Sequence, residues 1–114
     1  MATTTMTRWA PTSHADYDVL TGKDVYSVDG EKVGTIKAVF HPEGDFAMSR
    51  GHHYFLLDPG LLKEWFGGFS DVYLPESSIE GVTSDQVQIT FTKDQVKHQD
   101  WTTKPDAIDL YRRV

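Results

Sequence analysis

The chain has 114 residues, no cysteine and a formal net charge of −6, from 17 acidic and 11 basic residues. This length allows one domain with its own core, and the lack of cysteine excludes disulfides, thiolate metal ligands and cysteine nucleophiles. The acidic balance argues against nucleic-acid binding, which requires clustered lysine and arginine. No segment has the apolar length of a signal peptide or a membrane span, so we expect a cytoplasmic protein without membrane insertion.

The first 20 residues are polar, rich in threonine and without hydrophobic periodicity, which predicts a flexible N-terminal leader. Trp9 and Tyr17 are exceptions whose rings are suited to packing against a domain. We expect the domain itself to occupy residues 21–98. Residues 99–114 are expected to form a C-terminal extension with a short helix packed on that domain.

The first part of the domain predicts a β-hairpin. Residues 24–28 and 32–41 are rich in β-branched and aromatic side chains, and they flank Asp29-Gly30, a dipeptide typical of tight hairpin turns. The alternation of the second strand is interrupted at Gly34. This interruption predicts a bulge or a sharp bend.

Three later segments predict further strands. Residues 53–58 are apolar on both faces, which is typical of a strand that is central or covered on each side. Residues 71–75 form a strand that ends at its proline. Val87, Ile89 and Phe91 alternate with polar neighbours, which indicates one buried and one solvated face.

The end of the chain predicts short helices. Thr92 and Gln95 have the spacing of a capping box, which places a helix from Lys93 to about His98. Residues 105–113 predict a second short helix with Ile108 and Tyr111 on one face. The predicted fold is therefore all-β with short C-terminal helices.

Two blocks of the chain, within residues 21–96, resemble the PRC-barrel domain family. In the first block, Gly30, Val33, Gly34 and Ile36 match the family's repeated "dG..vG.v" pattern. In the second block, the family's strand into a proline corner is matched by Val72, Tyr73, Leu74 and Pro75, and its buried continuation by Ile79 and Val82. Residues 87–91 are similar to its last core strand, and residues 92–96 to its final short helix.

The resemblance implies a small antiparallel β-barrel of five to six strands that acts in docking and assembly. The family includes the cytoplasmic part of the photosynthetic reaction-centre H subunit and a domain of the ribosome maturation factor. The transmembrane helix of the former and the N-terminal domain of the latter are not in this sequence, so neither specific role carries over. The expected core consists of Val25, Val33, Ile36, Val39, Phe55, Leu57, Val72, Leu74, Ile79, Val87, Ile89 and Phe91.

A segment from Pro59 to Ser70, the 59–70 loop, is unusually rich in large apolar residues for a connection between strands. These residues are Leu61, Leu62, Trp65, Phe66 and Phe69. Two interpretations are open: the loop covers one end of the barrel as a plug, or it forms an exposed docking surface. We predict a non-catalytic interaction module that self-associates, as a homodimer, or docks on a larger complex as an adaptor through this loop.

His41, His52 and His53 form the one cluster in the sequence with metal-ligand chemistry. Adjacent residues of a strand point to opposite faces, so only one member of the pair can join His41. A site would then need a carboxylate such as Asp58. We expect no metal and no cofactor, and a metal- or small-ligand-binding barrel that uses these three histidines is the alternative.

No segment has the local signature of a catalytic site. Ser49, the neighbouring histidines and Asp58 supply the residue types of a nucleophile triad, but the sequence lacks the Gly-x-Ser-x-Gly elbow. Gly67-Gly68 lacks the Lys and Ser or Thr that follow in a phosphate-binding loop. We therefore expect a protein that is not an enzyme.

Overall fold

A computed structural model describes residues 7–42, 53–105 and 108–114. Its elements are β1 (Thr7–Arg8), α1 (His14–Asp18), β2 (Asp24–Tyr26), β3 (Lys32–His41), β4 (Tyr54–Asp58), β5 (Val72–Pro75), β6 (Ile79–Val82), β7 (Gln86–Ile89), α2 (Lys93–Lys97) and β8 (Arg112–Arg113). Short 3-10 turns occupy Gly60–Leu62, Glu64–Phe66, Glu76–Ser78 and Ile108–Leu110. In the described part of the chain the regular structure is mostly strand, as predicted. This part contains no helix that is long and apolar enough to cross a membrane.

All strands belong to one sheet. Their order is β1-β6-β7-β2-β3-β4-β5, and β8 pairs with β3. The pairing of β2 with β7 is parallel, whereas the other pairings are antiparallel. Over the described residues no pairing joins the two ends, β1 and β5, so the predicted closed antiparallel barrel is not confirmed. Alternation along a strand shows which face is buried, but it does not show which strands become neighbours.

The first hairpin has the predicted turn and the predicted irregularity. Gly30 has a φ of 86°, the left-handed conformation that favours glycine. Val25 of β2 lies opposite Gly34, but the next residue lies opposite Lys32, so β3 carries one extra residue at this point. A Cβ atom at Gly34 would lie 2.5 Å from the carbonyl oxygen of Asp58. Glycine is therefore required here by the close approach of β4.

The core lies on one face of the sheet and agrees with the sequence-based prediction. Ten of the twelve predicted core residues are buried, and Ile79 and Phe91 are partly buried against them. Buried residues that the prediction left out complete this cluster: Tyr17, Leu20, Phe66, Val96 and Trp101. A second cluster, formed by Ala38, Phe40, Leu56 and Ile108, covers the other face of β3 and β4. The prediction that β4 is central or covered on each side is confirmed for the cover, because its residues belong to both clusters.

The N-terminal segment differs from the prediction except at Trp9 and Tyr17, whose rings pack against the domain as expected. Residues 7–20 were predicted to be part of a flexible leader, but β1 pairs with β6 and α1 packs against β3. Tyr17 and Leu20 are buried, and the ring of Trp9 lies 4.9 Å from that of Tyr17, edge to face. An α-helix of five residues is too short to show the periodicity by which helices are predicted.

The C-terminal prediction is confirmed for one helix and wrong for the other. α2 begins at the predicted capping box, in which Gln95 N donates to Thr92 Oγ1 (3.2 Å) and Thr92 N donates to Gln95 Oε1 (2.9 Å). In place of the second helix, the structure has the 3-10 turn at Ile108–Leu110 and then β8. The spacing of Ile108 and Tyr111 fits either structure, because a 3-10 turn repeats every three residues.

Candidate metal centre and apolar loop

Three histidines from separate segments meet at one corner of the sheet. His14 is the first residue of α1, His41 is the last residue of β3, and His53 immediately precedes β4. Phe40 pairs with Tyr54 in the antiparallel ladder, so the end of β3 and the start of β4 lie side by side. α1 packs against β3 and brings His14 to the same corner.

The ring nitrogens of these histidines converge. His14 Nδ1 lies 3.0 Å from His53 Nε2 and 3.0 Å from His41 Nδ1. One ligand nitrogen from each ring lies within 4.8 Å of the other two. His41 and His53 are buried, with exposures of 1% and 2%, whereas His14 is partly buried. We refer to His14, His41 and His53 as the histidine cluster.

Each buried histidine presents its second ring nitrogen to a carboxylate. His41 Nε2 lies 2.5 Å from Asp18 Oδ1, and His53 Nδ1 lies 3.6 Å from Glu76 Oε1. Glu76 Oε1 also accepts a hydrogen bond from His53 N at 2.9 Å. A carboxylate behind a histidine fixes the ring orientation and holds a proton on the nitrogen that faces it.

The surroundings of the cluster shift the pKa values of three groups. Burial lowers the pKa of His41 and outweighs the raising effect of Asp18. Burial alone would raise the pKa of Glu76, but hydrogen bonds from His53 and Tyr17 outweigh it and lower this pKa to about 2. Burial, followed by the hydrogen bond to Glu76, raises the pKa of Tyr17. Near neutral pH, therefore, Glu76 is an ionised acceptor and Tyr17 a protonated donor.

The structure assembles part of the histidine set that the sequence indicated. His41 and His53 come together, and His52 lies outside the described residues. Asp58 is at the far end of β4, paired with Thr35, so it does not complete the site. Sequence reasoning missed His14, Asp18 and Glu76. For the first two a signal exists, because His14-x-x-x-Asp18 places both side chains on one face of a helix.

The 59–70 loop folds into two short 3-10 turns and divides its apolar residues between the core and the surface. Phe66 is 8% exposed and belongs to the core cluster, and Leu62 and Trp65 are partly buried against it. Phe69 is 53% exposed. The side chain of Leu61 lies outside the described part of the chain. One loop therefore covers the core and also presents an aromatic ring to solvent.

Trp65 has two close neighbours that orient it. Its ring packs edge to face on that of Phe66, with centroids 4.9 Å apart. On the side of α2, Lys93 Nζ lies 5.6 Å from the centre of the indole ring, within the range of a cation–π interaction. Gly67 follows in the left-handed conformation, with a φ of 76°, and ends the second 3-10 turn before Phe69.

The model of the PRC-barrel domain matches residues 15–96. The chain belongs to the PRC-barrel domain family. The matched part of this PRC-barrel protein contains β2 to β7 and α2 as far as Val96. It includes Asp18, His41, His53 and Glu76, whereas His14 lies one residue before it. No curated protein sequence gives a significant match to the chain.

Proposed function

We propose that this PRC-barrel protein is a non-enzymatic assembly module whose copies associate through the outer face of the 59–70 loop. The observation that carries the proposal is the exposure of Phe69, of which 53% remains accessible to solvent. Aromatic side chains of this kind contribute much of the binding energy at protein interfaces. Membership of a family of docking modules supports the same role.

The composition of the loop favours an apolar contact. Burial of one phenylalanine side chain stabilises an interface by about 2 kcal/mol, and Leu62 and Trp65, both partly buried, can extend the patch around Phe69. The same patch on two copies can meet about a twofold axis, which is the commonest symmetry of soluble oligomers. The formal net charge of −6 opposes the approach of two copies. Added salt should therefore strengthen the association, because it screens this repulsion.

The non-enzymatic part of the proposal rests on the kind of residues that carry the family resemblance. Gly30, Gly34 and the alternating apolar residues determine turns, a close strand approach and a core. They supply no nucleophile, acid or base. A role in assembly requires only a stable scaffold and a surface.

The proposal is tested by the molar mass in solution, measured by light scattering after size-exclusion chromatography over a range of protein and salt concentrations. We expect a dimer fraction that increases with both, and we expect Phe69→Ser to reduce it. The matched control is Leu110→Ser, which changes a residue that is 71% exposed outside the loop. A wild-type monomer under all conditions, or an equal loss in the control, would overturn self-association through the loop.

Docking on a different protein is the second form of this function. It predicts a wild-type monomer that co-purifies from its source with a defined partner in a fixed ratio. Phe69→Ser should abolish this complex and Leu110→Ser should leave it intact. A complex that both variants retain would place the docking surface elsewhere.

A further inference from the structure

We propose that His14, His41 and His53 bind one divalent transition-metal ion of the zinc type, which fastens α1 to the adjoining ends of β3 and β4. Imidazole nitrogen is a preferred ligand of Zn²⁺ and of neighbouring first-row metals. The three ligands come from three segments, with His14 separated from His41 by 27 positions and from His53 by 39. Such a site links parts of the chain that local sequence does not connect.

The distances are close to those of a tetrahedral site. Zn–N bonds of about 2.0–2.1 Å place two ligand nitrogens about 3.3 Å apart. Two of the three nitrogen pairs in the cluster are 3.0 Å apart, and the whole set lies within 4.8 Å. To bind the ion, the two short pairs must move apart by a few tenths of an ångström, and the third pair must come closer by at most about 1.5 Å. Movement of His14, the most accessible of the three, can lengthen the two short pairs, which both contain it. The third pair, His41 Nδ1 and His53 Nε2, closes only when the two buried rings shift toward each other.

Hydrogen bonding alone accounts poorly for the convergence of these rings. Each imidazole nitrogen carries either one N–H group or one lone pair in the plane of the ring. His14 Nδ1 has two imidazole nitrogens at 3.0 Å, one from His53 and one from His41, and it cannot make a linear hydrogen bond to both. A cation between the three nitrogens interacts favourably with all three lone pairs.

The carboxylates of Asp18 and Glu76, which lie behind the histidines, support the same arrangement. Asp18 faces His41 Nε2 at 2.5 Å, so a proton on that nitrogen leaves the lone pair of Nδ1 directed toward the cluster. Glu76 Oε1 lies 3.6 Å from His53 Nδ1. Its negative charge favours a proton on Nδ1, which leaves the lone pair of Nε2 directed toward the cluster. The two carboxylates also balance the charge of a divalent ion, which a buried site requires.

The site has a clear structural consequence. An isolated helix with the length of α1 does not form in water, because nucleation is unfavourable and few hydrogen bonds follow it. A bond from His14 to the metal would hold this helix on the sheet. Three histidines leave the fourth position of a tetrahedral ion to water or to an added ligand, and the partly exposed side of His14 provides access.

The first test is calorimetric titration of Zn²⁺ into untagged protein that has been treated with chelator. We expect one ion per chain, and we expect His14→Ala to weaken the affinity at least tenfold. His98→Ala is the matched control, because His98 is exposed at the end of α2 and should not change the affinity. Absence of Zn²⁺ binding, one ion per two chains, or equal losses in the two variants would overturn the site.

A spectroscopic test identifies the ligands independently of stability. Co²⁺ in a tetrahedral site with nitrogen ligands absorbs strongly in the visible region, whereas hexaaqua Co²⁺ absorbs weakly. The wild type and His98→Ala should develop this band with one equivalent of Co²⁺, and His14→Ala and His53→Ala should not. A band that persists in His14→Ala would contradict the proposed ligand set.

A further variant keeps the proposal testable where a ligand substitution prevents folding. Asp18→Asn leaves all three imidazoles in place and removes the carboxylate behind His41. Loss of such an outer partner typically weakens metal affinity about 10–100-fold. Zn²⁺ should raise the midpoint of thermal unfolding of the wild type, because it binds the folded state, and at the same Zn²⁺ concentration it should raise that of Asp18→Asn less. Equal increases would show that Asp18 does not support the ion.

Discussion

The imidazole ring of His53 lies flat on the phenol ring of Tyr17, with centroids 3.5 Å apart and planes inclined by 10°. Tyr17 OH also donates a hydrogen bond to Glu76 Oε2 at 2.6 Å, and the other oxygen of Glu76 accepts one from His53 N at 2.9 Å. The three residues form a closed set of contacts. Through this set, α1 is joined to the start of β4 and to the turn that follows β5.

Substitution Tyr17→Phe separates the stacking from the hydrogen bond. The phenyl ring retains the contact with His53, while Glu76 loses a donor in a partly buried place. A hydrogen bond to a charged group contributes about 1.5–3 kcal/mol, so we expect the free energy of unfolding to fall by about this amount. Urea unfolding in the presence of chelator measures the change without a contribution from bound metal.

The control for this substitution is Tyr26→Phe on β2. Tyr26 is also partly buried, but its hydroxyl makes no hydrogen bond in the described part of the chain, so the effect should be small. Equal stability of Tyr17→Phe and the wild type would show that the bond to Glu76 contributes nothing net. Equal losses in the two variants would point to an effect of hydroxyl removal in general.

Gly34→Ala tests the close approach of β3 and β4. The added methyl group would lie 2.5 Å from Asp58 O and 2.8 Å from Leu57 Cγ, and the first of these is a backbone atom that cannot move without disturbing the ladder. Overpacking of this kind costs about 1–3 kcal/mol or more. Chemical unfolding of Gly34→Ala should show this loss, whereas Glu31→Ala, an exposed position just before the same strand, should remain within about 0.5 kcal/mol of the wild type.

Two phenylalanines in the 59–70 loop provide a matched pair. Phe66 is 8% exposed and Phe69 is 53% exposed. Phe66→Ala removes a ring from the core and should destabilise the fold by about 3 kcal/mol, whereas Phe69→Ala should change stability by less than about 0.5 kcal/mol. Unfolding is measured at low protein concentration, so that self-association does not contribute to the free energy of unfolding. Similar losses in both variants would show that the loop acts only as a cover for the core.

Much of the fold follows from local sequence patterns. Strand β3 spans the predicted residues, and Val87 and Ile89 are buried as their alternation indicates. The parallel pairing of β2 with β7 has no local signature, because it joins strands that are distant in the chain. The position of α1 was missed for a similar reason, since its stability comes from the contacts of Tyr17 and Leu20 with the core.

The histidine cluster was predictable only in part. His41 is the last residue of β3 and His53 immediately precedes β4. Antiparallel pairing of these two neighbouring strands therefore brings them together. His14 reaches them only through the packing of α1. Its spacing to Asp18 places both side chains on one helix face, but it does not show which part of the sheet that face meets. The 59–70 loop poses the same difficulty, because the sequence shows five apolar residues but does not show which of them faces inward.

Asp29 joins the hairpin turn to α2. Its carboxylate accepts a hydrogen bond from Ser27 Oγ and one from Lys93 N at 3.2 Å. The bond from Ser27 is the main cause that lowers the pKa of Asp29 below the usual value of 3.8, against a smaller raising effect of burial. The folded state therefore binds a proton at this group less readily than the unfolded state. Its contribution to stability is complete above pH 3.8 and is lost as the pH falls below that value.

Asp29→Asn removes this titration while it preserves an oxygen acceptor and a residue suited to the turn. The wild type should be the more stable protein at neutral pH, and the difference in the urea midpoint should shrink toward zero as the pH falls well below 3.8. Glu31→Gln is the control, because it neutralises an exposed carboxylate at the end of the same turn. The difference in urea midpoint between this variant and the wild type should not shrink in the same way as the pH falls. A difference between Asp29→Asn and the wild type that stays constant with pH would show that the ionised carboxylate does not stabilise the junction between the hairpin and α2.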